Sequence, residues 1–178
     1  MLLSHLYVTQ IAQMAEILIQ GLRDGNKLLI CGNGGSAADA QHFAAELVTR
    51  YKVDRAPIAA LALTTDASIL TSVGNDYHYD LVFRKQVEAL GKRGDILVAI
   101  STSGRSKNVL EAVQAAQKKG LKTMGLMGGN LDSPLSKEVD IAFHVPSTET
   151  ARIQESHILV IHILSELIEN EFAHGPSL

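Results

Sequence analysis

Asp95-Ile96-Leu97-Val98-Ala99-Ile100 is an almost unbroken apolar run that ends on Ser101-Thr102-Ser103-Gly104-Arg105-Ser106, and a helical pattern begins at Lys107. A run this short has strand length, and its lack of polar alternation means that both faces of the strand are covered. The same grammar repeats in both directions along the chain. Apolar runs occupy 27–31, 59–63, 122–127 and 141–145, each ended by small or polar residues. Helical spacing predicts helices over 37–50, 67–73, 81–90, 107–119 and a short 134–138, and a long helix over 151–172 closes the series. Strands alternating with helices make a parallel sheet covered on both sides. Right-handed crossovers then give a doubly wound, flavodoxin-like α/β sandwich, with ligands expected at the carboxyl ends of the strands.

Ahead of this core, Leu6, Ile11, Met14, Ile17, Leu18 and Leu22 recur at helical spacing and Gly25 supplies a stop. They predict an N-terminal helix over about 4–24 whose apolar face calls for a partner. The 178 residues suit a single domain over 1–178, with its α/β core over about 27–172. No internal repeat or low-complexity stretch interrupts it. A net charge of −3 without a basic block argues against nucleic acid as a partner, though not against a small anion. No apolar run is long enough to cross a bilayer, and residues 1–6 lack the basic flank of a signal peptide, so no membrane partner is expected. The lone Cys31 rules out an internal disulfide and a multi-cysteine metal site. A cytoplasmic location is the expectation.

Two strand-to-helix turns carry the chemistry. The first is Cys31-Gly32-Asn33-Gly34-Gly35-Ser36-Ala37, whose glycines let a ligand approach the main chain and whose Ser36 is placed to cap the next helix. It reads as a tight turn, as a ligand loop, or as a loose dinucleotide fingerprint for which Asp66 would supply the acidic residue. The second, Ser101 to Ser106, sets four hydroxyls and a glycine at a helix start, where backbone N–H groups and the helix dipole favour phosphate. Helix capping by Ser106 alone would leave the other three hydroxyls without a role. The loop lacks the Gly-Lys-Ser/Thr ending of a nucleoside-triphosphate loop. Downstream of the first turn, His42 and Glu46 share one helix face, and Arg152-Ile-Gln154-Glu155-Ser-His157 followed by His162 marks the final helix. Gln154 and His162 are eight residues apart, so roughly 12 Å separates them along one helix.

A strand ending in Ser-x-Ser-Gly-x-Ser resembles the sugar isomerase (SIS) domain. From Cys31-Gly-Asn-Gly-Gly-Ser36 to Arg152-Ile-Gln-Glu155, the chain resembles the phosphoheptose isomerases within that group, over nearly all of residues 18–168. The resemblance implies a doubly wound sandwich and a homotetramer with active sites between subunits. It implies one zinc ion per subunit, held at His42, Glu46, Gln154 and His162, with Glu46 and His162 as the acid–base pair. The candidate contacts to a phosphorylated sugar are Asn33, Gly34, Gly35, Ser36, Glu46, Asn75, Asp76, Ser101, Thr102, Ser103, Ser106 and Gln154.

The implied reaction converts sedoheptulose 7-phosphate to D-glycero-D-manno-heptose 7-phosphate, the first step toward the nucleotide-activated heptose of bacterial surface polysaccharide. Moving a proton between C1 and C2 needs a base near neutrality, an acid for the carbonyl oxygen and a stabiliser of negative charge. Glu46 and His162 are residue types that suit those roles. The main alternative is a DnaA-initiator-associating regulator without isomerase activity. That group differs by a threonine at position 35 and by lacking a carboxylate at position 46. A sugar-phosphate sensor would need a DNA-binding module for which the chain has no room. A nicotinamide dehydrogenase would leave the Ser101–Ser106 loop and the His42/Glu46 pair without a role. His157 reads as structural, His5, His78 and His174 as surface residues, and His144 is unassigned. Arg152 and Glu155 read as a buried ion pair or as substrate contacts.

Overall fold

All five apolar runs become strands in the computed structural model, which describes residues 5–173: β1 (Leu28–Gly32), β2 (Ala60–Ala62), β3 (Ile96–Ser101), β4 (Lys122–Met127) and β5 (Ile141–His144). They pair in parallel in the order β2-β1-β3-β4-β5. This is the flavodoxin-like order, and the direction of winding reverses between β1 and β3. The two strands are matched residue for residue from Leu28 opposite Ile96 to Gly32 opposite Ile100, so the two chemistry-bearing loops leave the sheet side by side. Asp95 fixes this alignment from the other end, because its buried carboxylate accepts the Lys27 N–H at 3.0 Å and the Lys92 N–H at 2.8 Å.

The helices are α1 (His5–Arg23), α2 (Gly35–Val48), α3 (Ala67–Asp76), α4 (Val82–Leu90), α5 (Lys107–Lys118), α6 (Pro134–Glu138) and α7 (Thr150–Phe172), with a 3-10 turn at Tyr79–Leu81. Alternate residues of β1 feed opposite layers. Leu28 and Ile30 join Met14, Leu18, Phe43, Leu47 and Ile161 under α1, α2 and α7. Leu29 and Cys31 join Val73, Phe83, Val87 and Val113 under α3, α4 and α5. Burial pushes the Cys31 thiol up to about 12, so it remains an inert core group.

The first helix finds a partner for its apolar face within the chain. Ile11, Met14, Leu18 and Leu22 are buried against α7 and β5, and Val8 is the large apolar residue of α1 left exposed among the described residues. Amphipathicity alone does not say which surface a helix will cover. No helix among the described residues is long and apolar enough to cross a membrane.

His157 is fully buried in α7, and neither ring nitrogen has a hydrogen-bond partner. Burial pushes its ring down from 6.5 to about 4, against a partial pull upward from the Met127 carbonyl. The folded protein therefore leaves His157 neutral at pH values where the unfolded chain takes up a proton. Its contribution is complete above about pH 6.5 and is lost as pH falls toward 4, to a total of about 3 kcal/mol. Urea midpoints at pH 7 and pH 4.5 should therefore fall more in the wild type than in His157→Leu. Parallel losses would show that His157 does not set the acid sensitivity.

Candidate active site

The loop after β3 keeps its hydroxyls together. Ser101 Oγ and Ser106 Oγ are 3.1 Å apart, and Ser103 Oγ accepts the Arg105 N–H at 3.2 Å. Gly104 makes the turn with φ of +63°, and a methyl group there would stand 2.2 Å from Ser133 Oγ. Ser106 occupies the N-cap position of α5, yet its side chain caps nothing. The hydroxyl is turned into the loop, and the positive end of the helix faces the same place.

Reciprocal amide bonds latch this loop to the glycine loop. Asn33 Nδ2 donates to Asn108 Oδ1 at 2.9 Å, and Asn108 Nδ2 donates to Asn33 Oδ1 at 2.8 Å. Tyr79 OH adds a donor to Asn33 Oδ1 at 3.3 Å. The buried Asn108 escaped the sequence reading. Its signal was an amide in the first turn of the helix that follows the hydroxyl loop.

In the glycine loop, α2 starts at Gly35, two residues earlier than predicted, with Gly34 at φ +56° as its N-cap. Ser36 is therefore a buried residue of the first turn and not the cap. Gly32 is required by contact, because a methyl group there would lie 2.6 Å from the Ser36 carbonyl oxygen and 2.8 Å from its carbon. Backbone cannot yield as a side-chain tip does. Gly32→Ala should cost about 2–3 kcal/mol and weaken sugar-phosphate binding, as read by urea midpoints and calorimetry. Gly74→Ala in α3 meets nothing nearer than 3.9 Å, so it should be neutral or stabilising by about 0.5–1 kcal/mol. Equal effects of the two substitutions would contradict this account.

Farther along α2, His42 and Glu46 face α7. His42 Nε2 lies 3.1 Å from Glu46 Oε1 and 3.0 Å from His162 Nε2. One ligand atom from each of the three residues falls within a span of 4.8 Å. Two imidazole nitrogens and a carboxylate oxygen suit zinc, whose bonds of about 2.0–2.1 Å set neighbouring tetrahedral donors about 3.3 Å apart. The residues present therefore fit a metal ion. On the same face of α2, one turn nearer the glycine loop, Asp39 has a buried Oδ2 with no partner. Burial pushes its carboxyl up, and His42 pulls it back.

The other candidates fall elsewhere. The Gln154 amide lies over Gly35, where a methyl group would stand 2.2 Å from Nε2. Asn75 and Asp76 end α3, exposed and bonded to each other at 2.8 Å. Asp66 caps α3 by accepting the Ile69 N–H at 2.9 Å, so its carboxylate is not a free ribose acceptor, and the strand order also differs from the dinucleotide fold. Arg152 and Glu155 do pair, but on the surface and not in the interior. His144 bonds Ser136 Oγ and the Gly128 carbonyl, each at 3.0 Å, and His78 is exposed. The side chain of His5 and all of His174 lie outside the described residues.

Known proteins share this fold. Residues 3–128 match the SIS domain family. The chain is 55% identical to a phosphoheptose isomerase of Geobacter sulfurreducens over 90% of its own length and 84% of the relative's. It is 56% identical to one of Helicobacter pylori, with coverages of 91% and 84%. A phosphoheptose isomerase structure from Neisseria gonorrhoeae superposes with a TM-score of 0.85 at 49% identity, covering 92% of this chain and 86% of that one. With glycine at position 35 and a carboxylate at position 46 in that setting, the chain belongs to the SIS domain family, on its phosphoheptose isomerase branch.

Proposed function

We propose that this protein is a cytoplasmic phosphoheptose isomerase, folded as a single SIS domain, that converts sedoheptulose 7-phosphate to D-glycero-D-manno-heptose 7-phosphate. The observation that carries the reading is the meeting of His42, Glu46 and His162 in a chain whose relatives bear that name. Glu46 takes a proton from C1 of the ketose while His162 gives one to the C2 oxygen, which yields the enediol. Return of a proton to C2, with loss of the proton on the C1 oxygen, completes the aldose. No atom is gained or lost overall.

Zinc is the metal we assign to His42, Glu46 and His162, one ion per subunit. When bound it supplies positive charge where negative charge develops on the sugar oxygens. Ser101, Thr102, Ser103 and Ser106 hold the phosphate, and Asn33, Gly34, Gly35, Ser36, Asn75 and Asp76 complete the sugar's contacts.

The active assembly is a homotetramer with sites shared between subunits. Gln154 supports this: its amide stands against its own Gly35, roughly 12 Å along α7 from His162. In this reading a second copy supplies Gln154 as the fourth ligand, together with its hydroxyl loop.

Incubation with sedoheptulose 7-phosphate and zinc, followed by NMR, should show the aldose 7-phosphate appearing. A purified, metal-loaded protein that forms none would overturn the assignment. Ser103→Ala with Ser106→Ala should raise KM at least tenfold and change kcat little, because the phosphate charge is the same in ground and transition states. Each lost bond to a charged group is worth about 1.5–3 kcal/mol. An unchanged KM would place the phosphate in another loop.

A further inference from the structure

After α2 the chain turns sharply through Tyr51, Lys52 and Val53, and all three backbone N–H groups donate to one carboxylate. Glu169 Oε1 accepts from Tyr51 at 2.8 Å, while Oε2 accepts from Lys52 at 2.7 Å and Val53 at 3.1 Å. Glu169 is buried on α7, with its side chain 2% exposed, and Arg55, 1% exposed, faces it at 3.4 Å. Arg55 in turn donates to the carbonyls of Glu46 and Leu47, both at 2.8 Å. A buried charge is retained at such cost only when its neighbours are fixed around it. Here the neighbours are the backbone of Glu46 and the turn that carries Tyr51.

His162, Glu166 and Glu169 form one stripe on α7, at spacings of four and three residues. The turn clamped by Glu169 therefore lies over His162. The Tyr51 ring stacks on the His162 ring with centroids 5.7 Å apart and planes inclined by 28°. Lys52 Nζ, paired with Glu166 at 2.7 Å, stands over the Tyr51 ring, 5.2 Å from its centroid. Among the described residues, the one side-chain hydrogen bond to the His162 ring is the 3.0 Å contact with His42 Nε2. Its orientation is left to packing.

We infer that Tyr51 is a positioning residue that fixes the His162 ring by offset stacking, and that the Glu169–Arg55 pair is the strut that holds Tyr51 and Glu46 in place for it. The inference rests on the assignment of His162 to the metal and acid–base group. None of Tyr51, Arg55 and Glu169 is among the proposed metal ligands or sugar contacts. Partners that orient metal ligands typically control affinity by 10–100-fold.

The test uses the full chain and reads zinc affinity by competition with a chelating dye, alongside isomerase kinetics. Tyr51→Phe keeps the ring and should bind zinc within about twofold of wild type. Tyr51→Ala should bind about tenfold or more weakly, with a matching fall in kcat and an unchanged KM. In the metal-free protein, the His162 ring-proton resonances should shift on Tyr51→Ala, as the tyrosine ring current is removed, and stay in place in Tyr51→Phe. Glu169→Gln should reproduce the loss of affinity in Tyr51→Ala. If Glu169→Gln fails to fold, Tyr51→Ala alone decides, since it leaves the strut intact. Wild-type zinc affinity and unmoved resonances in Tyr51→Ala would overturn the inference. So would an equal loss in Tyr51→Phe, which would assign the effect to the hydroxyl. A wild type that binds zinc but leaves sedoheptulose 7-phosphate unchanged would remove the proposed reaction while the affinity and resonance readouts still judge Tyr51.

Discussion

Glu46→Gln should lower kcat by about 10²–10⁴-fold, the usual contribution of a positioned general base. The amide retains the size of the carboxylate and its ability to bond, so the helix and its packing are undisturbed. The Glu46 side chain is 19% exposed and makes its closest polar contact to His42, one turn away on the same helix. The hydroxyl loop over Ser101–Ser106 lies on other elements and is untouched, so the sugar phosphate should still bind, as calorimetry would show. Because Glu46 also belongs to the metal group, the kinetics need saturating zinc, so that weaker metal binding is not read as lost proton transfer. Turnover near normal under those conditions would move the base to another residue. It would also reopen the regulator reading, in which position 46 needs no carboxylate.

The strand–helix alternation was legible because buried parallel strands write themselves as short apolar runs, and the loops at their carboxyl ends stand out by contrast. Both loops, and the His42/Glu46 pair, follow from that pattern and from helical spacing. Helix starts were less legible: a serine four residues past Gly32 looks like a cap, yet Gly34 can take the N-cap position itself at φ +56°. Contacts between elements distant in sequence were hidden. The Asn33–Asn108 latch spans 75 residues, and the bonds from Tyr51, Lys52 and Val53 to Glu169 span 116 to 118. No local periodicity encodes such pairings. The partner of α1 was hidden for the same reason. The apolar stripe gave the need for a cover, and only the tertiary arrangement shows that α7 provides it.

Gln154 is the residue on which spacing and structure together say most. As a fourth ligand it would share an ion with His162, but the two stand roughly 12 Å apart along α7, and the Gln154 amide packs on Gly35. The conflict disappears if each site combines the three-residue cluster of one subunit with Gln154 and the hydroxyl loop of another. Subunit mixing then has a definite outcome. Glu46→Gln mixed with His162→Ala should recover nothing, because both lesions fall in the same subunit's cluster and no reshuffling yields an intact one. Glu46→Gln mixed with the Ser103→Ala/Ser106→Ala double variant should recover activity. Some sites will take their cluster from the serine variant and their hydroxyl loop from the Glu46→Gln chain. With equal amounts and free exchange of subunits, about a quarter of all sites are intact, and the gain reads at substrate far below the serine variant's raised KM, where each parent alone turns over slowly. Recovery in the first mixture would separate Glu46 from His162 and contradict their contact within one chain. No recovery in either mixture, with exchange verified by mass spectrometry, would place each complete site within one subunit and leave Gln154 without a role at the metal.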